Sequence, residues 1–224
     1  MQQRYLHSLQ YNSLKGDILA ALSELLKPFE GERLVEWFSD LTELWHDTAP
    51  IKPNDTTSPK GLTQWIHYKN YVVWHLEEFV RKDGISDADI LKAEQIIDLH
   101  NIKRLAAIEQ IDIWLDNVLK SAGVRPEDDV LVNSETPGSI IDRLSILTLK
   151  MFHIREHLET DNIPDQERQN SNIRLSVLEE QYGDLAQAID ALMLELRQAK
   201  KHHKVYRQFK IYNDPNFHPN SLSH

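Results

Sequence analysis

The fold is decided by residues 86–120, SDADILKAEQIIDLHNIKRLAAIEQIDIWLDNVLK. No proline or glycine interrupts this stretch, and Ser86 followed by Asp89 three positions later is typical of a helix N-terminus. Because each helical residue adds about 1.5 Å, we predict one helix roughly 50 Å long. Its apolar residues recur every three or four positions, as on a buried helix face: Ile90, Ala93, Ile97, Ile102, Leu105, Ile108, Ile111, Leu115, Val118 and Leu119.

The segments on both sides of this helix follow the same helical pattern. Further helices are predicted at residues 13–27, 32–47, 61–82, 137–159 and 165–201. Residues 48–60 contain three prolines and no apolar periodicity, so they are predicted to be a surface loop. We therefore predict an all-α fold, a single helical bundle of about six helices, four of them long, in one domain over residues 1–224.

The C-terminal tail, residues 204–224, is predicted to pack on the bundle. It carries aromatic side chains among its polar residues, namely Tyr206, Phe209, Tyr212 and Phe217. The stretch from residue 196 to residue 210 is also basic and contains no acidic residue: Arg197, Lys200, Lys201, Lys204, Arg207 and Lys210. These cations would hold a phosphate or an acidic partner, or would simply complement the C-terminal dipole of the last helix.

The composition excludes several classes of function. The chain has 224 residues, of which 41% are hydrophobic and 27% charged, a composition typical of globular proteins with a large core. It has no cysteine, which excludes disulfides, thiolate metal sites and a thiol nucleophile. The net charge of −10 argues against nucleic-acid binding, and no apolar segment is long enough to predict membrane insertion. We expect a cytoplasmic protein.

Helix 61–82 has two contrasting faces. The predicted core face consists of Leu62, Trp65, Ile66, Val72, Val73, Leu76, Phe79 and Val80. The opposite face collects aromatic, histidine and charged side chains: His67, Asn70, Tyr71, Trp74, His75, Glu78 and Arg81. This second face is either an ordinary polar surface or, since such residues are common in ligand sites, the wall of a pocket.

Helix 137–159 is apolar nearly all round in its middle, which indicates a central position in the bundle. Ser139, Asp142, Lys150 and His153 share its less apolar side and would be partly buried. Buried charges need partners. These residues would therefore form a structural ion-pair network with the polar face of helix 61–82, or a functional pocket between the two helices.

Three kinds of chemistry fit these residues. A divalent metal would use His75, Glu78, His153 and His157, which stand three or four residues apart on their helices. General acid–base catalysis would use His75 or His153, oriented by Glu78 or Asp142. An anion site would use the basic residues near the C-terminus.

Three stretches resemble a bacterial family known as domain-of-unknown-function family 4254. They are HYKN (67–70) leading to WHLEE (74–78), NSETPGSIIDRLSIL (133–147) and YRQFKIYNDP (206–215). The family has Glu-Asp where this chain has Glu77-Glu78, which changes the reach of a carboxylate. The resemblance implies an all-helical fold and no known reaction. It also implies that the gene for this protein lies beside genes for glycosyltransferases of envelope polysaccharide synthesis.

We therefore expect a pocket between helices 61–82 and 137–159, closed by the C-terminal segment. The expected catalytic residues are His75, Glu78, Asp142 and His153. Substrate would be bound by His67, Asn70, Trp74, Arg81, Glu135, Ser139, Arg143, Lys150, Arg207 and Lys210. The expected function is an enzyme acting on a phosphorylated or nucleotide-linked sugar in surface-glycan metabolism. The alternatives are a metal-binding bundle, or a non-catalytic adaptor or homo-oligomer that serves a glycosyltransferase.

Overall fold

The computed structural model describes residues 16–18, 20–127 and 129–206. It confirms the all-α fold, and the described residues contain no strand. Residues 20–26 are helical and lead through a short 3-10 turn, Lys27–Phe29, into the bundle. The helices that follow are α1 (Gly31–Asp47), α2 (Pro59–Phe79), α3 (Asp87–Ser121), α4 (Pro137–Glu159) and α5 (Asp165–Arg197).

Three helices begin at side-chain caps. The hydroxyl groups of Ser58, Ser86 and Thr136 accept hydrogen bonds from the backbone N–H three residues later, at α2, α3 and α4 respectively. These bonds satisfy N–H groups that have no partner inside the helix. The single long helix over residues 87–121 and the N-cap at Thr136 agree with the sequence predictions.

Helix α4 lies at the centre of the bundle and contacts α1, α2, α3 and α5. Its buried residues include Ile140, Ile141, Leu144, Leu149 and Met151, so the prediction of a helix that is apolar nearly all round is confirmed. Because α1, α2 and α4 pack side by side, residues on these three helices can meet in one place.

The start of α4 is anchored on α3 by a buried carboxylate. Asp112 Oδ1 accepts a hydrogen bond of 2.8 Å from the backbone N–H of Gly138. A Cβ atom at Gly138 would collide with the backbone of Ile108, so only glycine permits this approach. Burial raises the pKa of Asp112, while its hydrogen bonds from Thr136 and Gly138 oppose the rise.

The faces of α2 differ from the sequence prediction. His67, Asn70 and Tyr71, assigned to the polar face, are buried, whereas Val72 and Val73 are only partly buried. The reason is that α2 is covered by α1, α3 and α4, which supply hydrogen-bonding partners for its polar side chains.

Residues 202–203 pack on the bundle just before the predicted tail, whereas Tyr206 of the tail is 66% exposed, and Phe209, Tyr212 and Phe217 lie outside the described residues. His202 pairs with Val132 in an isolated β-bridge, and the backbone N–H of Asn133 donates to His202 O at 2.8 Å. His203 is buried, with its Nε2 3.3 Å from Asp112 O. Arg207 and Lys210, predicted to bind substrate, lie outside the described residues. None of the described helices has the length and apolarity needed to cross a membrane.

Candidate metal centre

Three histidines from three helices converge near the ends of α1, α2 and α4. They are His46, His75 and His153, all partly buried, and one potential ligand atom from each lies within 4.8 Å of the other two. The packing of α1 and α2 against α4 brings them together from positions up to 107 residues apart (153 minus 46).

The Nδ1 atom of each ring faces a group that accepts hydrogen bonds. His46 Nδ1 lies 2.6 Å from Thr42 O, His75 Nδ1 3.0 Å from a Glu78 carboxylate oxygen, and His153 Nδ1 3.1 Å from a Glu156 carboxylate oxygen. A carbonyl and an ionised carboxylate only accept, so each neutral ring carries its proton on Nδ1. The lone pair of each ring is therefore on Nε2.

The three Nε2 atoms are buried and have no hydrogen-bond partner among the described residues. A buried polar atom without a partner is rare, because it has lost its bond to water and gained nothing in return. Single atoms of this kind also occur at His100, Arg104 and His202, but within the described chain only here do three of them lie in one cluster, which makes them a candidate ligand set. Three imidazole nitrogens, each oriented through Nδ1 by a carbonyl or a carboxylate, form the donor set of a three-histidine metal centre.

Burial and neighbouring charge favour the neutral form of His75. Burial is the main cause that lowers the pKa of His75, and the neighbouring His153 and His46 lower it further, against an opposing effect of Glu78. A metal ligand must be deprotonated, so a lowered pKa favours metal binding.

Aromatic rings fix the orientation of the three histidines. The Phe152 ring stacks on His46 with 3.9 Å between centroids, and the Trp74 ring stacks on His153 at 4.9 Å. Tyr71 packs edge-on against His75 at 4.4 Å. These contacts leave the imidazoles little freedom to turn away from one another.

Two of the four predicted metal ligands occupy other positions. Glu78 accepts hydrogen bonds from Trp74 Nε1 at 2.7 Å and from His75 Nδ1, so it orients the cluster from outside. His157 lies 3.2 Å from Glu167 on α5 and is not part of the cluster. Sequence reasoning missed His46. The signal was present, because Trp-His occurs near the C-terminal ends of both α1 and α2, at residues 45–46 and 74–75.

A second buried network connects α1, α2, α3 and α4 around His67. Its ring lies between Thr42 Oγ1, at 3.0 Å from Nε2, and Ser145 Oγ, at 2.8 Å from Nδ1. Asn70 Nδ2 donates to Ser145 Oγ and to Asp142 Oδ1, both at 2.9 Å. Arg104 donates to Asn70 Oδ1 at 2.6 Å.

The hydrogen bonds from Asn70 to Phe38 allow one assignment of the hydroxyl and imidazole protons, because Phe38 O can only accept. Asn70 donates to Ser145 Oγ, so the Ser145 hydroxyl donates to His67 Nδ1, and His67 Nε2–H donates to Thr42 Oγ1. The Thr42 hydroxyl then donates to Phe38 O at 2.7 Å. His67 is thus neutral and fully bonded, and burial lowers its pKa to about 3. This network matches the structural alternative that the sequence left open.

Asp142 belongs to this network and not to the histidine cluster. Burial raises its pKa, while Arg104 and the hydrogen bond from Asn70 oppose the rise. Thr42 joins the two regions, since its carbonyl accepts from His46 and its hydroxyl contacts His67.

The remaining predicted residues make local contacts. Arg81 lies just beyond α2, pairs with Glu77 and is largely exposed. Arg143 pairs with Glu135 at 2.6 Å on the surface. Ser139 contacts the Thr136 hydroxyl at the start of α4.

A cleft of about 590 Å³ lies between α4 and α5 beside the cluster. His153 and Trp74 belong to its wall, as do two cations, Lys150 and Arg174. Neither cation has an ion-pair partner among the described residues. The rest of the lining is mixed, with one acid, polar residues and apolar residues: Glu167, His157, Gln166, Asn170, Ser171, Ile154, Pro164 and Leu178. The cleft therefore offers positive charge and an aromatic ring next to the histidines.

Fold and site together define an all-helical bundle protein with a three-histidine candidate metal centre. A family model described as "Protein of unknown function (DUF4254)" matches residues 62–205, so the chain belongs to that family. The family resemblance stated from the sequence is confirmed. No curated protein and no solved structure matches the chain.

Proposed function

We propose that this protein is a metal-dependent enzyme that acts on a phosphorylated or nucleotide-linked sugar. The observation that carries the proposal is the convergence of three buried, unpartnered Nε2 atoms from His46, His75 and His153. The other described parts of the molecule contain no comparable group of metal-ligating side chains.

The donor set selects the class of metal. Imidazole ligands suit zinc and neighbouring transition metals, whereas magnesium and calcium prefer oxygen. Zinc in a structural site has four protein ligands, and a site with three leaves one position for water or substrate. Ligands of tetrahedral zinc are about 3.3 Å apart, so the ion would draw the three rings slightly together. A three-histidine centre is accordingly a catalytic type of site.

A metal-bound water in this centre would act as a nucleophile. Zinc lowers the pKa of bound water to about 7, so hydroxide is available at neutral pH. A zinc ion held by His46, His75 and His153 would supply hydroxide at neutral pH for hydrolysis of a phosphate ester, in which an oxygen from water replaces the sugar or nucleotide oxygen on phosphorus and the leaving oxygen takes up a proton. Lys150 and Arg174 would bind the phosphate, and Trp74 would pack against the sugar or base. Bacterial surface-glycan synthesis is the setting that the family resemblance implies, and the cytoplasm is the compartment expected from the sequence.

The first test is the metal content of the protein purified without chelators and then incubated with Zn²⁺. We expect one zinc per chain by elemental analysis and native mass spectrometry, and loss of zinc in His46→Ala, His75→Ala and His153→Ala. His157→Ala is the matched control, since His157 stands next to the cluster and is bonded to Glu167 instead. Circular dichroism checks that each variant is folded. Zinc retained by all three variants would overturn the proposal.

The second test addresses the substrate. We expect zinc-dependent hydrolysis of sugar 1-phosphates or nucleoside diphosphate sugars, abolished by His75→Ala. Arg174→Gln and Lys150→Gln are expected to raise KM about tenfold or more, because each removes a charge-assisted bond to phosphate. Arg155→Gln is the control, since Arg155 pairs with Glu179 outside the lining of the cleft. Turnover of none of these compounds, with zinc bound, would reject the substrate class and keep the metal site.

A second candidate function is an adaptor without catalytic activity. One observation favours it, the large apolar side chains exposed along α3, among them Leu91, Leu99, Ile102 and Ile113.

A further inference from the structure

Helix α3 has a second apolar face, directed away from its own bundle. Ala93, Ile97, Ala107, Ile111, Leu115 and Leu119 are buried inside the protein. On the other side, nine exposed residues are spaced by three, four and four positions in turn: Ala88, Leu91, Gln95, Leu99, Ile102, Ala106, Gln110, Ile113 and Asn117. We call these nine residues the α3 stripe. Ile102, counted with the buried series from the sequence, belongs to it and is 40% exposed.

The spacing of the α3 stripe is that of a helix-pairing surface. A repeat of 11 residues corresponds to 3.67 residues per turn, close to the 3.6 of a straight helix. The stripe therefore stays on one side of α3 over about 44 Å, at about 1.5 Å per residue. Two long helices can pack along their whole length only if each has such a row of contact residues on one side, which we call the seam.

The composition of the stripe also separates it from ordinary surface. None of its nine residues is charged, although 27% of the chain is. Its large side chains are well exposed, at 61% for Leu91, 47% for Leu99 and 42% for Ile113. An uncharged surface of this length that exposes four large apolar side chains is rare on a protein that functions as a monomer.

The charges beside the stripe identify its occupant as a second copy of the chain. Asp87 and Asp98 immediately precede stripe positions 88 and 99, and Lys92 and Lys103 immediately follow positions 91 and 102. In a parallel, in-register pair of helices, a residue that immediately precedes a contact position on one helix lies opposite the residue five positions later on the other helix. Asp87 would then face Lys92 of the partner subunit, and Asp98 would face Lys103 of the partner subunit. An antiparallel pair would place the acidic edges against each other.

We infer that this protein forms a parallel, in-register homodimer through the α3 stripe. Gln95, Gln110 and Asn117 lie in the seam, where polar residues fix register and orientation at some cost in stability. This interface is separate from the histidine centre, so the dimer does not depend on the proposed enzymatic function.

The mass of the full-length chain in solution is the first test. Sedimentation velocity of the wild type is expected to show a dimer. Leu99→Glu and Ile102→Glu are expected to weaken it about a hundredfold, because each places two like charges face to face in an apolar seam. Ile173→Glu on α5 is the matched control, an equally exposed apolar position outside the stripe.

Cysteine cross-linking tests the orientation, and the chain has no cysteine of its own to interfere. In a parallel dimer, Leu91→Cys and Ile102→Cys each form a disulfide with the same position of the partner, since a disulfide requires Cα atoms within about 7 Å. In an antiparallel dimer centred on Ile102, only Ile102→Cys would react, because the two residues at position 91 would be about 33 Å apart. Ile173→Cys measures the background from random collisions.

Either of two results would overturn the inference. One is a monomeric wild type whose Leu91→Cys variant cross-links no faster than the Ile173→Cys control, which would leave the stripe free for another protein such as a glycosyltransferase. The other is cross-linking at position 102 without cross-linking at position 91.

Discussion

Two polar groups built around histidines lie between α1, α2 and α4. They differ in how many of their hydrogen-bonding atoms have partners. Around His67, the side chains of Asn70, Ser145, the imidazole and Thr42 all have hydrogen-bond partners, although Arg104 Nε beside them has none among the described residues. Around His46, His75 and His153, the Nδ1 atoms are bonded and the Nε2 atoms are not. The imidazole of the first group is fully bonded, whereas the second group has three lone pairs free for a ligand.

The difference shows that burial alone does not identify a functional histidine. His67 is the more buried of the two kinds and burial lowers its pKa to about 3, yet it has no lone pair to offer a ligand. The partly buried trio has three. Hydrogen-bond accounting therefore separates a structural histidine from a ligand where burial and pKa do not.

The largest expected effect concerns the stability of the metal-free protein. His67→Ala is expected to lower the free energy of unfolding by about 4 kcal/mol, since it opens a cavity and leaves Ser145 and Thr42 without partners. His75→Ala is expected to cost less than about 1 kcal/mol, because its Nε2 has no bond to lose and its Nδ1 bond to Glu78 is exposed to solvent. Urea denaturation measures both. Equal losses would contradict the distinction between the two groups.

The next effect concerns metal affinity. Glu78→Gln keeps the shape of the side chain and removes the carboxylate that accepts from His75 Nδ1 and Trp74 Nε1. Loss of such a partner is expected to weaken zinc binding about ten- to hundredfold, measured by competition with a chromogenic chelator. Glu156→Gln is the control, because Glu156 orients only His153 from a more exposed position. If Glu156→Gln weakened binding more than Glu78→Gln, Glu78 would not have the orienting role assigned to it.

The pH dependence of stability isolates the contribution of His67. Its folded-state pKa is lowered to about 3, whereas the unfolded chain titrates near the ordinary value of 6.5. Below pH 6.5 the unfolded state therefore binds a proton that the folded state does not, and the free energy of unfolding falls with falling pH. Between pH 7 and pH 5 this term amounts to about 2 kcal/mol.

His67→Gln is the comparison for this experiment. Burial lowers the pKa of His75 and His100 as well, so the wild type loses stability in acid from several groups. The part due to His67 is the difference in slope between the wild type and His67→Gln, both measured without metal. Identical slopes would show that His67 can be protonated in the folded protein.

The sequence was sufficient to predict the helices because their signals are local. Ser86 and Thr136 cap helices where their spacing indicated, and the uninterrupted pattern from residue 86 to residue 120 is one helix. The burial of both faces of α2 could not be predicted from the sequence, because it results from the packing of α1, α3 and α4 around this helix. A helical wheel assigns a polar residue to the outside, and His67 and Asn70 are buried because partners for them exist on other helices.

The candidate site was predictable in part for the same reason. His75 and His153 were found because each stands on a face with unusual neighbours. The Trp-His pair at residues 45–46 repeats the pair at 74–75, but only the packing of α1 against α4 shows that His46 joins the other two histidines. Glu78 was predicted as a metal ligand or catalytic residue, and in the structure its carboxylate faces Nδ1 of His75, a contact that spacing alone does not reveal.

The smallest expected effect distinguishes two adjacent residues of α4 that the sequence placed in one pocket. Arg143 is 53% exposed and pairs with Glu135, so Arg143→Gln is expected to change the free energy of unfolding by less than about 0.5 kcal/mol. Asp142→Ala is expected to cost about 2 kcal/mol, because Asn70 loses a buried acceptor and Arg104 loses its ion-pair partner. Neither substitution is expected to change zinc stoichiometry, since both residues lie outside the histidine cluster. A zinc content reduced by Arg143→Gln would mean that the metal centre extends to the surface pair at the start of α4.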